Sequence, residues 1–256
     1  LDAALDRQTI IGSALGGFGT ALDGPIPPGI LDDATPVFPI PLPATSTPIT
    51  HAQDKTENAR AILKRGGWSW DEKREAWTKK KETLSLKLAT ADSPELVATA
   101  EAAAAAWRRV GVAVSLQVYP LSEFNNTILR PRDYEAILFG EVVGRNADLF
   151  AFWHSSQRND PGLNLALYAN TKTDALLTRA RAESSPRVRA ELYRQFARIV
   201  QKDTPAAFLY SPTFLYIIPS ELKGVEIGAL TSASERFLNA YQWHTQTQYI
   251  WEFLSS

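Results

Sequence analysis

Two carboxylates, Glu141 and Asp148, stand in the glycine-bounded stretch Gly140-Glu141-Val142-Val143-Gly144-Arg145-Asn146-Ala147-Asp148. Carboxylates in such a loop can receive a cationic ligand end, and loop amides with the short Asn146 side chain can hydrogen-bond an extended ligand. The competing reading is a plain connection, with Asp148 capping the helical turn that follows it. The cap is the reading taken for Asp148, and ligand contact for Glu141. Other residues capable of chemistry are scattered. His51, His154 and His244 lie far apart, without an i, i+4 companion, so no metal centre is expected. Cysteine is absent, which removes thiol catalysis, disulfides and Cys-ligated zinc. There is no G-x-S-x-G, phosphate loop or clustered acid–base pair. Gly16-Gly17-Phe18-Gly19 lacks a preceding strand and a following Lys-Ser/Thr, and reads as a turn. Lys79-Lys80-Lys81 reads as a solvated face. Nothing here supports an enzyme, and no cofactor is expected.

The loop needs elements to hold it. Leu84, Leu86 and Leu88 alternate with Thr83, Ser85 and Lys87, the period of a half-buried strand, and Val112, Val114, Leu116 and Val118 repeat the pattern. Between them Ser93 is placed as an N-cap, Pro94 opens a helix, Glu95 faces its positive end, and Gly111 ends it. Strand, helix, strand at this spacing predicts a βαβ unit with a parallel sheet and a right-handed crossover. A third strand is predicted over Tyr134–Phe139. The Gly140–Asp148 loop then leaves a strand end in a parallel sheet, where ligands collect.

Further elements complete the outline. A helix is predicted within Leu1–Leu22, another over Asp54–Lys64, and an exposed hairpin or turn through the Trp-rich run to Lys81. Ser122 is placed to cap a short helix reaching Leu129. A helical turn is predicted at Asp148–His154, helices at Asp174–Glu183 and Ser185–Asp203, and short strands at Ala207–Tyr210 and Phe214–Ile218. The proline-rich run from Pro25 to Pro48 forbids regular structure and predicts an extended strap.

The chain has 256 residues, 45% hydrophobic and 21% charged, with a formal net charge of −1. That suits one large domain or two small ones, and gives no basic stripe for nucleic acid. Seven Trp and eight Tyr suit ligand handling as well as burial. No apolar run reaches the roughly 18 residues needed to span a bilayer. The chain has no methionine and begins at Leu1, so a piece of something longer is expected, with any signal peptide outside it.

Five stretches, in order, resemble the large extracellular solute-binding proteins of the dipeptide, oligopeptide and nickel ABC importers. They are Ala3-Ala4-Leu5-Asp6-Arg7 with Gly24-Pro25-Ile26-Pro27-Pro28, then Asn58–Leu63 with Gly66-Gly67-Trp68, then Arg109-Val110-Gly111-Val112-Ala113-Val114 after its strand and helix. Asp133-Tyr134-Glu135-Ala136 with Gly140 follows, and then Phe152-Trp153-His154-Ser155 with Asn164, Tyr168, Asn170, Asp174 and Arg189–Tyr193. The resemblance implies an α/β lobe of the type II periplasmic-binding-protein kind, with a mixed, mainly parallel sheet. It implies residues 1–50 as an N-terminal helix and strap, 51–235 as the C-terminal substrate-binding lobe, and 236–256 as a return toward an N-terminal lobe that has no counterpart here. The implied partners are a small solute such as a peptide, an ABC importer membrane permease and that missing lobe. The implied location is periplasmic or extracellular, with a lipid anchor conceivable on the absent N-terminus. Phe139, Gly140, Glu141, Val142, Arg145, Asn146 and Asp148 are then the ligand-contacting set. Where the family carries Gly-Trp this chain has Gly140-Glu141, and the family's acidic run becomes Gly144–Asp148, which departs from ordinary peptide specificity. A scaffold protein derived from one such lobe is the alternative.

Overall fold

A computed structural model describes residues 1–31, 48–144, 148–226, 230 and 232–245, apart from the side chains of 48–53. Of the proline-rich run, 32–47 lie outside the described residues.

Its centre is a wholly parallel three-stranded sheet. Strand β5 (Ser85–Ala91) pairs with β6 (Ala113–Tyr119) from Ser85↔Ala113 to Ala91↔Tyr119, and on its other edge with β7 (Ala136–Ile137). Helix α3 (Pro94–Val110) makes the crossover. Its N-cap is Ser93, although that side chain makes no capping bond, and its C-cap is Gly111 in the left-handed region. A side chain at Gly111 would be strained at φ +103° and would run into the Trp70 ring. Ala100, Ala103, Ala104, Trp107 and Val110 recur at helical spacing and are buried, so α3 lays a small-residue stripe that lets it sit close to the sheet.

The third strand is shorter than expected. Glu135 is the reason at its start, because its carboxylate accepts the Lys87 amide at 2.8 Å in place of a ladder carbonyl. Beyond Ile137 the pairing tapers to one bond, Leu138 N–H donating to Ala89 O at 2.9 Å.

The antiparallel pairs stand outside this sheet. Strands β2 (Ser69–Asp71) and β3 (Ala76–Lys79) form the expected Trp-rich hairpin and β4 (Glu82–Thr83) extends it, but it is not exposed throughout, because Ala76 and Trp77 are buried and the Trp77 indole N–H is bonded to Val110 O at 2.9 Å. Strand β1 (Gly19–Ala21) pairs with β8 (Tyr210–Pro212). Neither Ala207–Tyr210 nor Phe214–Ile218 forms a separate strand. Phe214–Ile218 keeps the alternating pattern but has no ladder neighbour among the described residues. At the N-terminus the expected helix is interrupted. Asp6 accepts from Gln8 N and Thr9 N, which restarts it as α1 (Arg7–Leu15), and Gly16 stops it.

Helix α2 (Pro48–Arg65) starts earlier than expected. Helix α4 (Leu121–Glu123) follows Pro120 and widens into a π-helical turn at Phe124–Leu129, so Ser122 lies inside the first turn and is not its cap. The short α5 (Phe150–Trp153), α6 (Thr171–Ala182) and α7 (Pro186–Asp203) build a second core from Leu149, Trp153, Leu177, Tyr193, Phe196 and Val200. The first core joins α1 and α3 to the sheet through Leu5, Ile10, Leu88, Trp107 and Val112. Each fully buried aliphatic or aromatic side chain contributes roughly 1.5–3 kcal/mol.

Candidate functional site

The carboxyl ends of β5, β6 and β7 reach the same edge of the sheet, and the 138–144 segment leaves β7 there. It is tethered at both ends. Leu138 bonds to Ala89, and its own carbonyl accepts from the fully buried Thr90 hydroxyl at 3.2 Å. At the far end Val143 is buried in the second core beside Leu149. Between these anchors the chain is open. Phe139 is 39% exposed and Val142 72%, and no atom lies within 4 Å of where a β-carbon on Gly140 would stand. The Phe139 ring lies 6.3 Å from that of Phe124, which stacks in turn on Tyr119, so an aromatic row backs the loop.

Glu141 is exposed, and no hydrogen bond or ion pair holds its carboxylate among the described residues. Water reaches it from one side, while the protein crowded around it desolvates the charged form and pushes its pKa up to about 7. Asp148 is engaged elsewhere. One oxygen accepts the Phe150 amide at 3.3 Å at the start of α5, and the other pairs with Arg181 at 2.7 Å. Its placement is that of a helix-start carboxylate. Arg145 and Asn146 lie outside the described residues.

A row of contacts behind Asp148 went unseen in the sequence. The Arg181 guanidinium lies 4.4 Å over the Phe150 ring, Phe150 stacks at 4.0 Å on His154, and His154 faces Asp174 at 4.0 Å. Asp174 accepts from Ser155 N at 2.9 Å and Ser155 Oγ at 2.6 Å, joining α6 to the turn after α5. Asn164 is fully buried. Its amide donates to His154 O at 3.2 Å and Tyr168 O at 2.9 Å, and its oxygen accepts Tyr168 N at 3.1 Å. Arg132 clamps the same polar loop through Arg158 O at 2.9 Å and Gly162 O at 2.5 Å. A buried Asn in a polar loop gives no local pattern that announces this task.

Among the described residues, no group of three His, Cys, Asp or Glu is arranged to hold a metal ion, and no helix is long and apolar enough to cross a membrane. A separate recess lies between Ile26-Pro27-Pro28 and α7, lined by Arg194, Arg198 and Gln201, and shares no residue with the loop.

The parallel α/β sheet and its open, doubly tethered loop agree with the lobe of the type II periplasmic-binding-protein kind that the sequence resemblance implies. Residues 1–162 match the family described as bacterial extracellular solute-binding proteins, family 5 Middle, and the chain belongs to that family. It is 27% identical over 229 residues to Protein XP55 of Streptomyces lividans, covering 88% of this chain and 39% of that protein. It is 24% identical over 241 residues to the dipeptide-binding protein of Escherichia coli (strain K12), covering 90% and 40%. The chain thus spans about two fifths of the length of the curated relatives it matches. In three dimensions it resembles the oligopeptide-binding protein AppA of Bacillus subtilis, solved in complex with a nonapeptide, with a TM-score of 0.70 at 21% identity, over 96% of this chain and 46% of that one.

Proposed function

We propose that this chain is the substrate-binding lobe of an ABC importer's solute-binding protein, a carrier and not an enzyme, that takes peptides or similar small solutes. In this reading the solute lies against Phe139, Gly140, Glu141 and Val142, with Arg145, Asn146 and Asp148 at the far end of the loop. A second, N-terminal lobe closes over it by a hinge, and the permease receives the loaded protein. Residues 51–235 carry the lobe, 1–50 brace it, and 236–256 return toward the second lobe. The protein works outside the cytoplasmic membrane, held there by a lipid anchor or free.

The observation that carries the reading is the open loop at the carboxyl ends of three parallel strands, in a chain whose relatives include a dipeptide-binding protein. An uncovered apolar surface supports the second lobe. Leu215, Ile217, Leu238 and Tyr241 are 56%, 95%, 65% and 83% exposed, beside an aromatic cluster of Phe214, Tyr216, Phe237 and Trp243 gathered around Arg236.

With one lobe alone, too little surface is buried to offset association costs of roughly 4–15 kcal/mol, so the isolated chain binds weakly or not at all. The test is mass spectrometry of small molecules released by denaturing the purified natural gene product that contains this chain. A retained peptide or peptide-like solute, absent from the isolated chain, is the expected result. A gene product that retains none, and binds no peptide in equilibrium dialysis against a di- to pentapeptide mixture, refutes the proposal.

A further inference from the structure

We propose that the lysine-rich tip of the hairpin is a docking surface for an anionic lipid bilayer, holding the carrier against the membrane outside which it works. The proposal rests on the extracellular placement in the proposed function, and is independent of which residues touch the solute.

The chain's net charge of −1 is unevenly spread. Lys79-Lys80-Lys81 forms the tip between β3 and β4, and Lys79 Nζ reaches back to Gly66 O at 2.7 Å, just past Lys64 and Arg65 in the last turn of α2. One turn earlier on α2, Arg60 holds Arg109 O at 2.7 Å, which brings the basic end of α3 alongside. Basic last turns are what the helix dipoles favour, and need no ligand. The tip is different. Lys80 and Lys81 make up the whole turn, with Lys79 opposite Glu82, and both stand at positive φ, 51° and 74°. Such a turn suits Asn-Gly, and lysine gives it no conformational advantage. Neither side chain has an ion pair or hydrogen bond among the described residues. The far turn, Glu72-Lys73-Arg74-Glu75, is balanced in sign, so the positive charge gathers at one tip.

An apolar component lies beside it. Lys79 sits 6.0 Å over the Trp68 ring, and Ile62 and Trp70 are 41% and 37% exposed. Lysines beside indole and aliphatic groups match the headgroup region of a bilayer, where tryptophan and long basic side chains settle together. Lysine is a compact charge on a flexible stem, suited to many mobile phosphates more than to one fixed carboxylate. The tip also precedes the amino end of β5, whereas the 138–144 segment lies past the carboxyl ends. The seven residues of β5 separate the two by about 20 Å, so contact with lipid leaves the loop open.

The test is co-sedimentation of the natural gene product containing this chain, prepared without lipid modification, with phosphatidylcholine vesicles that contain or lack phosphatidylglycerol. Binding only to the vesicles with phosphatidylglycerol, lost in high salt, is expected. Lys80→Asn with Lys81→Gly removes two charges and supplies the residues the turn suits, so this pair is expected to melt no lower than the parent. It is expected to bind about tenfold or more weakly, from roughly fivefold per basic residue at an anionic surface. Lys172→Gln with Lys202→Gln, on α6 and α7, removes the same charge away from the tip and is expected to change binding by less than about twofold. Absence of phosphatidylglycerol-dependent binding, or an equal loss in both pairs, overturns the proposal. Binding to soluble polyglutamate as tight as that to the vesicles would mean that the tip reads an acidic polypeptide, and overturns it too. Each of these outcomes leaves the solute-binding reading to its own test.

Discussion

Replacing Asn164 by Asp changes one atom in a side chain that is fully buried. In the protein the Asn164 amide nitrogen donates to two carbonyls, His154 O at 3.2 Å and Tyr168 O at 2.9 Å, and its oxygen accepts Tyr168 N at 3.1 Å. An ionised Asp keeps only the last of these and sets a second negative oxygen against the two carbonyls. The cost has three parts: two lost donors at about 1 kcal/mol each, the desolvation of a charge, and repulsion from the carbonyls. About 3–5 kcal/mol of destabilisation at pH 8 is the expected sum, the range for an uncompensated buried charge. Asn164→Ala, which creates no charge, is expected to cost about 2–4 kcal/mol. The pH dependence has a definite sign. Burial raises the folded pKa of the new Asp above its unfolded value of about 3.9, so the part of the penalty due to charge is absent below that value and grows as pH rises toward and through the folded pKa. Protonated, the carboxyl can donate to one of the carbonyls again. Urea unfolding followed by circular dichroism, with variant and parent compared at pH 4 and pH 8, measures this directly. An Asp variant within about 0.5 kcal/mol of the parent at pH 8 refutes the assignment of Asn164 as the polar keystone of the 154–168 loop.

Glu141→Gln removes a carboxyl whose folded pKa, about 7, lies above its ordinary 4.5, so the parent loses stability as pH rises between those values. Discounted for its exposure, the variant is expected to exceed the parent by about 1 kcal/mol or less at pH 8 and to match it at pH 4; urea midpoints showing a less stable variant at pH 8 contradict this. Gly111→Ala forces a side chain to φ +103° against Trp70 and close to the Trp77 indole nitrogen, and is expected to cost about 2–4 kcal/mol with a change in tryptophan fluorescence. An unchanged melting temperature would show that the hairpin moves aside freely. Tyr168, whose pKa is pushed up to about 12 by desolvation and by its 2.5 Å bond to Asp203, is expected to ionise well above the ordinary tyrosine value. In an alkaline absorbance titration, Tyr168→Phe should delete a component near that value, and a titration curve unchanged there contradicts the assignment.

The βαβ unit was legible because two simple periods and an N-cap, proline and glycine signature agree across 84–119. The hairpin and both late helices were legible for similar reasons, the second through Ser185-Pro186, although the Asn170 cap starts the first at Thr171 and not at the expected Asp174. What failed was decided by partners distant in sequence. β1 exists because Tyr210–Pro212 lies beside it, and Phe214–Ile218, with an equally good strand pattern, has no neighbour to pair with. The truncation of β7 depends on Glu135 reaching Lys87, forty-eight positions away in sequence. The loop itself was legible from its glycines and from its place after a strand. The Asp148–Arg181 pair and the row through Phe150 and His154 were not, because each joins residues whose proximity only the packing of α5 on α6 creates.

The central claim is that solute contacts the loop at the carboxyl ends of the parallel strands. Hydrogen–deuterium exchange of the natural gene product, with and without saturating Ala-Phe-Ala or the solute it retains on purification, tests that most directly. The account predicts slowed exchange across residues 138–144, with the buried amides of β5 and α3 unchanged because they are already protected. Unchanged exchange at 138–144, with protection instead around the recess between Pro27 and α7, would contradict it.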